Sequence, residues 1–405
     1  MGTPRTVSQA IKGRLYPSRE QAATLSRMRF LLACIRERVR AESREFYERE
    51  KKGCSVGWLQ KEVAQPMHRR LGWPCDALSV VNVVAMHHQA LRNWWRRPDH
   101  YDAPSRRAPE RCPVNPYVHN QRLETDVERG RVRLFGNKVG WMRWRSGLPR
   151  VVETWWVKSP SPKEDRGFFW RLADGRLIKI NSGRVSYRGG HWYLAIQYEG
   201  PAPEYAEPKA LAVGIDPGIR AMTAHDGEQS LEFARVPERS KKRRRRLDRK
   251  IARCKRGSRR HRKLVLTRSR LMEREGNMRR DRTHKATRKL IDHARIVGYE
   301  DPSAKAWQES GFFGEASREA AAGEFCRQIE YKGDWAGREV VAVPESASST
   351  QTCYACGERT VHPLGERAYS CPHCGYRARR DENAALNVRA AAIQGARAAL
   401  PEAVM

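Results

Sequence analysis

The sequence has no long apolar run and no apolar segment close behind its N-terminus. A membrane-spanning helix needs about 20 consecutive apolar residues, and a secretory leader needs an apolar stretch of roughly 7–15. No lipidation signal is present either. These absences predict a cytoplasmic protein that has no membrane partner.

Cysteine is sparse outside one short region. Six of the ten cysteines stand singly along the chain and show no pairing pattern, namely Cys34, Cys54, Cys75, Cys112, Cys254 and Cys326. Scattered single cysteines do not make a disulfide framework, and reduced thiols are typical of the cytoplasm. A disulfide-stabilised secreted domain is therefore excluded.

The other four cysteines, Cys353, Cys356, Cys371 and Cys374, follow a C-x2-C-x14-C-x2-C pattern. This spacing closes two thiolate knuckles around one tetrahedral Zn²⁺. A redox dithiol would not need two matched knuckles. His362 and His373 are nearby alternative ligands, but four thiolates already fill a closed site. The pattern predicts a structural zinc ribbon.

Acidic residues are too few to balance the basic ones. The chain has 46 Asp and Glu against 79 Lys and Arg, which gives a net charge of +33. Residues 241–290 alone hold 24 basic and 4 acidic side chains. An ordinary solvated helix face interleaves both signs, so this stretch favours binding to a polyanion, most commonly nucleic acid. The candidate phosphate contacts are Lys241, Lys242, Arg243, Arg244, Arg245, Arg246, Arg249, Lys250, Arg259, Arg260, Arg262 and Lys263.

Tryptophans next to arginines form a second, weaker signal. They occur at Trp94-Trp95, at Trp141 and Trp144, and at Trp155-Trp156. Such rings can stack on exposed bases, but most tryptophans belong to a core. The sequence does not decide which of them contact a partner.

The N-terminal half combines strands and helices. Thr6 to Tyr16 predicts a strand, and Ser18 to Gln21 forms a capping box that opens a helix. Helical periodicity continues to about Pro98, and short alternating strands follow from about Ala103 to Tyr198. Hairpins are expected at 131–141, turning at Gly136-Asn137, and at 184–196. Together these features predict a small β-barrel or β-sandwich with an inserted helical lobe, followed by a linker.

Three acids in the C-terminal half stand where they can converge. Asp216 and Glu300 end apolar strands, and Asp381 opens the last helix. Carboxylates crowded at one sheet edge repel each other unless divalent cations neutralise them, and Mg²⁺ prefers such oxygen ligands. Taken singly, Asp216 could be a turn residue before Pro217-Gly218, Glu300 an exposed strand end, and Asp381 an N-cap.

The surroundings of these acids resemble a known family. Gly214-Ile-Asp216-Pro-Gly218, Glu300-Asp301 and Arg380-Asp381-Glu-Asn-Ala-Ala are similar to the three RuvC motifs of the TnpB transposon proteins and the compact type V CRISPR effectors. The ribbon, introduced by Ser349-Thr-Gln-Thr-Cys353, resembles that family's zinc ribbon. Weaker similarities are Arg14-Leu-Tyr-Pro17, Gly190-His-Trp192 and His284-Lys285. The sequence departs from the family at Asp301-Pro302-Ser303, where Asp-Leu is usual, and in the Gly- and Ala-rich loop that follows.

The resemblance implies a prokaryotic RNA-guided DNA endonuclease, monomeric by expectation, whose partners are a guide RNA and double-stranded target DNA. Asp216, Glu300 and Asp381 would bind catalytic Mg²⁺ or Mn²⁺, and the four cysteines would bind structural Zn²⁺. The implied fold is multidomain α+β: an N-terminal β-barrel with the inserted helical lobe, then an RNase H-like (RuvC) α/β domain with an inserted zinc ribbon. The expected boundaries are 1–20 for the first barrel strand, 21–102 for the helical lobe, 103–200 for the rest of the barrel, 201–209 for the linker, 210–345 for the RuvC domain with basic helices at 236–290, 346–377 for the zinc ribbon and 378–405 for the last helix.

Three alternatives remain open at this point. The first is a guided DNA binder with weak or no cleavage, which the altered loop after Glu300 would permit. The second is an unguided RNase H-like nuclease or a transposase-associated protein. The third is a non-enzymatic zinc-ribbon binder, which leaves the three acids without a joint explanation.

Overall fold

The computed structural model describes residues 5–72, 76–98, 101–110, 112–157, 167–216, 222–233, 238–300, 322–344, 350–363 and 366–399. The chain divides into two compact units, Met1–Pro201 and Ala202–Met405. No helix within the described ranges is both long enough and apolar enough to cross a membrane.

The first unit joins a helical segment to a large antiparallel sheet. Its helices are α1 (Arg19–Glu50), α2 (Val56–Trp58), a π-helical turn (Leu59–Ala64), α3 (Gln65–Leu71) and α4 (Ala77–Arg96). Its strands are β1 (Thr6–Tyr16), β2 (Tyr117–His119), β3 (Leu123–Asp126), β4 (Arg131–Leu134), β5 (Gly140–Arg145), β6 (Val151–Val157), β7 (Gly167–Leu172), β8 (Leu177–Arg188) and β9 (His191–Pro201).

Helix α1 begins at the predicted capping box. The Gln21 backbone N–H donates to Ser18 Oγ at 3.2 Å, and the Ser18 N–H donates to Gln21 Oε1 at 2.9 Å. The apolar positions Leu25, Leu32 and Val39 are fully buried. The 3.6-residue periodicity of this stripe therefore determines which face of α1 meets the core.

The sheet of the first unit runs in the order β3-β4-β5-β1-β9-β8-β7-β6, with β2 paired to β8. The closed barrel is not confirmed, because no ladder joins the edge strands β3 and β6 among the described residues. The physical reason lies in the core: helices α1 and α4 and the sheet share one hydrophobic cluster, so helices, not a second sheet wall, cover the inner face. The helical segment and the sheet are thus packed as a single body.

Both predicted hairpins are confirmed. Strands β4 and β5 pair antiparallel around a 3-10 turn at Gly136–Lys138. Strands β8 and β9 pair from Arg188 and His191 outward, with Gly189 and Gly190 in the turn.

The second unit contains a five-stranded sheet, a basic helical hairpin and a small ribbon. Its elements are β10 (Ala210–Asp216), β11 (Met222–His225), β12 (Ser230–Phe233), α5 (Glu238–Ala252), α6 (Arg259–His293), β13 (Ala294–Glu300), α7 (Ala322–Ala336), β14 (Glu339–Val343), β15 (Ala368–Ser370), β16 (Arg377–Arg379) and α8 (Arg380–Ala399). The sheet order is β12-β11-β10-β13-β14. The β12-β11-β10 pairs are antiparallel, and β10, β13 and β14 are parallel.

Helices cover both faces of this sheet. Apolar residues of β10 and β13, among them Val213, Ile215 and Val297, pack against α6 and α7. On the other face, Ala212 and Ile296 pack against the α8 alanines Ala392 and Ala396. The mixed α/β architecture predicted for this half is confirmed.

The predicted linker does not stand away from the second unit. The Ala206 backbone N–H donates to the Asp292 carboxylate at 2.9 Å, and the Arg288 guanidinium lies 4.2 Å from the centre of the Tyr205 ring. This segment is therefore held against the end of α6.

Candidate functional site

Two of the three predicted acids lie side by side at one sheet edge. Parallel strands β10 and β13 pair through Ile215 and Tyr299, and the next residue on each strand is Asp216 and Glu300. Neighbouring strands lie about 4.8 Å apart, so the two carboxyl-bearing residues are adjacent across the ladder. Asp216 is only 8% exposed. Since the carboxyl ends of parallel strands share an edge, the pairing explains how residues 84 positions apart come together.

Two glycines bring α8 onto the same face of the sheet. Gly214 and Gly298 are paired in register, and each stands two residues before one of the acids. A Cβ atom on Gly214 would lie 2.1 Å from the Ala385 carbonyl oxygen, and one on Gly298 would lie 2.5 Å from the Ala392 Cβ. Residues two apart on a strand point to the same side. Asp216 and Glu300 therefore face the side that α8 covers.

The direction of α8 carries Asp381 to the acid edge. Ala385 of the helix crosses β10 at Gly214, whereas Arg389 reaches back to the Ala212 carbonyl at 3.1 Å. The N-terminus of α8 thus points toward the carboxyl ends of β10 and β13. Asp381 stands one helical turn before Ala385, at the same end as Asp216.

Sequence reasoning missed one close neighbour of Asp381. The Arg367 guanidinium, which belongs to the ribbon, lies 3.4 Å from the Asp381 carboxylate. The carboxylate is 18% exposed and the guanidinium 48% exposed. No signal in the sequence distinguishes Arg367 from the other arginines of the chain, because the contact depends on how the ribbon folds onto α8.

The three acids share an edge without forming a tight cluster. Within the described ranges, the four cysteines are the one group of three or more candidate ligands whose donor atoms all lie within 4.8 Å of one another. Asp216, Glu300 and Asp381 do not form such a group.

The cysteine cluster has the dimensions of a zinc site. The Cys353 and Cys374 sulfurs are 3.7 Å apart, and the Cys356 and Cys371 sulfurs are 3.6 Å apart. A tetrahedron with zinc–sulfur bonds of about 2.3 Å has edges of about 3.8 Å. Both the donor set and the spacing fit Zn²⁺.

The two cysteine pairs have matching backbone geometry. In each pair the first cysteine accepts a hydrogen bond from the N–H of a glycine in the left-handed region, Gly357 for Cys353 and Gly375 for Cys371. Backbone N–H groups of Cys374 and His373 also favour the thiolate of Cys371; despite the opposing effect of burial, its pKa falls to about 6. The backbone of the second knuckle therefore favours an anionic sulfur at Cys371.

The ribbon is tied to the helix that carries Asp381. The buried Asn383 side chain accepts from the Tyr354 N–H at 3.0 Å and donates to the Thr352 carbonyl at 2.8 Å. Asn387, one turn further on, donates to the same carbonyl at 2.7 Å. The Asn residues that follow Asp381 in the sequence thus bind the ribbon to the first turns of α8.

Helices α5 and α6 form a hairpin that presents the predicted basic surface. Two ion pairs fasten it, Arg244 to the buried Glu275 at 2.9 Å and Arg268 to Asp248 at 2.5 Å. Arg244 therefore has an internal partner, and its role as a phosphate contact stays a prediction. Lys241 is also partly buried. The exposed predicted contacts are Lys242, Arg243, Arg245, Arg246, Arg249, Lys250, Arg259, Arg260, Arg262 and Lys263.

The tryptophans divide between core and surface. Trp144 packs against the core of the first unit, and its indole N–H points at the Leu194 carbonyl at 3.4 Å. Trp95, Trp141 and Trp156 keep between 36% and 45% of their surface exposed. The segment 301–303, where the sequence departs from the family, lies outside the described residues.

Two family models match the second unit. One, described as "Probable transposase", matches residues 195–306, which include Asp216, Glu300 and the basic hairpin. The other, described as "Cas12f1-like, TNB domain", matches residues 323–388, which include the four cysteines and Asp381.

Whole-chain relatives agree with these matches. A protein of Streptomyces pristinaespiralis named "Putative RNA-guided DNA endonuclease" is 26% identical over 96% of this chain and 90% of its own length. The Escherichia coli protein "Putative RNA-guided DNA endonuclease InsQ" is 25% identical over 95% of this chain and 92% of its own. The fold is similar to the Cas12f1 chain of a cryo-EM complex with single-guide RNA and target DNA, with a TM-score of 0.56, 13% identity, and coverage of 95% of this chain and 98% of that one. The resemblance found in the motifs is thus confirmed: over nearly its whole length, the chain is similar to proteins named as putative RNA-guided DNA endonucleases.

Proposed function

We propose that this protein is an RNA-guided DNA endonuclease. A guide RNA pairs with target DNA beside a short flanking motif, and the acid edge of the second unit hydrolyses the DNA backbone. The observation that carries this proposal is the placement of Asp216, Glu300 and Asp381 at one end of β10, β13 and α8. Structural packing alone gives no reason to set three carboxylates at a common edge.

The five-stranded sheet supports an RNase H-like (RuvC) assignment for this unit. Its strand order places the antiparallel hairpin of β11 and β12 on one side of β10 and the parallel strands β13 and β14 on the other. Asp216, Glu300 and Asp381 are the residues that would hold Mg²⁺ or Mn²⁺, since carboxylate oxygens suit hard cations. When bound, a pair of such ions supplies an activated water and stabilises the leaving oxygen of a phosphodiester.

The chain's own residues contribute orientation at this site. Burial of Asp216 fixes its carboxylate against the sheet, and the Gly214–Gly298 pair lets α8 approach closely enough to bring Asp381 to the edge. Arg367 holds the Asp381 side chain from the ribbon. The ribbon would thereby link its structural zinc to the alignment of one carboxylate.

The basic hairpin supports the nucleic-acid part of the proposal. The ten exposed predicted contacts lie on two neighbouring helices, and two of the hairpin's acids, Asp248 and Glu275, are paired within it. Such a ridge attracts phosphates along a backbone without reading bases. We assign guide and target contact to this ridge, and we retain the domain boundaries given by the sequence as part of the proposal.

The test is to co-express the protein with its native locus, sequence the RNA that co-purifies, and assay cleavage of DNA matching that RNA. Asp216→Ala and Asp381→Ala should abolish Mg²⁺-dependent cleavage while guide and target binding persist, because each removes an oxygen ligand without leaving a large cavity. Asp174→Ala removes a carboxylate from a surface turn of the first unit and should cut normally.

Three outcomes would refute parts of this proposal. Cleavage by either acid variant at the wild-type rate would refute the site. Specific RNA-directed binding without any cleavage by the wild type would indicate a guided binder. Cleavage independent of the bound RNA would indicate an unguided nuclease.

A further inference from the structure

Two adjoining cavities lie in the first unit, where α1 and α4 face residues 102–107. Their volumes are about 710 Å³ and 430 Å³, and both are lined by Arg40 and His87. Pockets of roughly 300–1,000 Å³ are typical of small-molecule sites. Nothing in the acid edge or the basic hairpin of the second unit accounts for them.

The walls of these cavities carry an excess of positive charge. The lining cations are Arg36, Arg40, Arg44, Arg106, Arg107 and Arg184, and the lining acids are Glu37 and Asp102. Glu37 is engaged by Arg36 at 2.9 Å and Arg40 at 3.2 Å. Arg44 pairs with Glu48 at 2.7 Å. The lining arginines Arg106, Arg107 and Arg184 then remain against Asp102 alone, which favours an anionic ligand.

Arg184 is the clearest indication of an anion. Its guanidinium donates to Asn82 Oδ1 at 3.0 Å and contacts the Met86 sulfur at 3.2 Å, and it pairs with no carboxylate in the described part of the chain. Burial lowers the pKa of Arg184, which shows that its charge is poorly solvated. A partly buried cation without a counter-charge gains most from a bound anion.

The larger cavity also has a flat aromatic wall. Trp95 is 45% exposed, and a Cβ on Gly53 would lie 2.8 Å from its ring. Only glycine at position 53 leaves room for the ring to lie against the backbone there. Trp94 and Tyr47 line the same cavity. Aromatic surfaces held in this way suit a planar ring.

A neutral polar ring stands at the junction of the two cavities. His87 is 7% exposed, and burial lowers its pKa to about 4, so the imidazole is uncharged at neutral pH. Its Nε2 has no hydrogen-bond partner within the described ranges. A buried ring nitrogen without a partner is uncommon in folded proteins, and it marks this junction as polar.

We propose that this double cavity binds one nucleotide, with the base against Trp95 and the phosphate beside Arg184. The combination of aromatic wall, excess cations and a neutral imidazole matches a planar heterocycle that bears an anionic group. The nucleotide comes either from solution as a nucleoside monophosphate or from an unpaired position in a bound strand. Only the second source rests on the proposed nucleic-acid function.

The first experiment uses the full chain, freed of nucleic acid by high-salt chromatography, and titrates AMP, UMP, adenosine and inorganic phosphate by calorimetry. Saturable binding is expected for AMP or UMP, and weaker binding for adenosine and for phosphate alone. Trp95→Leu should weaken nucleotide binding about 5- to 150-fold, the range expected for a lost base-stacking contact. Trp156→Leu, at a comparably exposed tryptophan on β6, is the matched control and should bind like wild type.

Two further variants separate this role from a structural one. Arg184→Met removes the charge beside Met86, and it should weaken the binding of AMP more than the binding of adenosine. Gly53→Ala changes no ligand group but displaces the Trp95 ring, and it should weaken AMP binding with little change in the far-ultraviolet circular dichroism.

The source of the nucleotide is decided with two RNA hairpins, one fully paired and one with a single unpaired 2-aminopurine. A nucleotide from a strand predicts that AMP competes with the second hairpin alone, and that Trp95→Leu removes its fluorescence change. A free nucleotide predicts that AMP saturates the protein without displacing either hairpin. The proposal is overturned if no nucleoside monophosphate binds saturably at about 10 mM and the two hairpins bind equally, or if Trp95→Leu and Arg184→Met both bind AMP like wild type. Guided cleavage that survives such a result would leave the proposed function intact.

Discussion

Replacing Gly214 by alanine tests whether the close approach of α8 positions the acid edge. The new Cβ would lie 2.1 Å from the Ala385 carbonyl oxygen and 2.3 Å from the Arg389 backbone nitrogen. Both are backbone atoms, so no side-chain rotation relieves the contact. Restoring an ordinary van der Waals distance of about 3.4 Å requires α8 to move by more than about 1 Å.

The expected cost follows from this displacement. Overpacking a well-packed site costs typically about 1–3 kcal/mol, and a backbone clash belongs at the upper end. We therefore expect the free energy of local opening of α8 to fall by about 3 kcal/mol. Hydrogen exchange of its buried amides should then be roughly 150-fold faster. Because a misplacement of about 1 Å in a catalytic group can cost 10²-fold in rate, guided cleavage should fall by about that factor.

The assay combines hydrogen–deuterium exchange of α8 peptides with single-turnover cleavage. Gly323→Ala is the matched control, because nothing lies within 4 Å of a Cβ at Gly323 in α7 and alanine favours helix. The reasoning is refuted if the cleavage rate and the α8 exchange rate of Gly214→Ala both stay within about twofold of those of this control. Rapid exchange with normal cleavage would refute only the link between α8 and the site.

Three other changes test separate parts of the molecule. Cys356→Ser should release zinc and unfold residues 349–377 locally, because the ribbon has too little apolar surface to fold alone. Elemental analysis should show the loss of zinc and hydrogen exchange the local unfolding, while the control Cys254→Ser keeps both zinc and protection. An active wild-type protein without zinc would contradict this prediction. Replacing Lys242 and Arg246 together by alanine should reduce the slope of the logarithm of RNA affinity against the logarithm of salt concentration by about 1.5–2. Filter binding measures this slope, and an unchanged slope would exclude these two residues of the hairpin from phosphate contact. Burial lowers the pKa of His87 from 6.5 to about 4, so on acidification the unfolded chain binds the proton before the folded one. The free energy of unfolding of the first unit should therefore fall by up to about 3 kcal/mol between pH 6.5 and pH 4. Urea unfolding of His87→Gln should show a smaller dependence of this free energy on pH.

Local features of this protein were predictable because short-range chemistry produces them. The capping box at Ser18, the buried stripe of α1 and the two hairpin turns depend on residues within a few positions of each other. The cysteine knuckles are of the same kind, since each is a short loop whose two sulfurs are near in sequence. The four-cysteine cluster could therefore be predicted from the spacing of its cysteines alone.

Contacts between distant segments were decided only by the tertiary structure. A closed barrel was predicted because strands recur regularly, whereas the shared core shows α1 and α4 covering the sheet face. Arg244 was one basic residue among many until the folding of α6 placed a buried Glu275 opposite it. Arg367 has no distinguishing neighbour in the sequence, and its contact with Asp381 exists because Asn383 and Asn387 bind the ribbon to α8. The sequence identified the acids by the strand and helix ends they occupy. The common edge of Asp216 and Glu300 comes from the pairing of β10 with β13. The Gly214–Gly298 pair lets α8, which carries Asp381, settle onto these strands, because a residue without a Cβ leaves room for the helix.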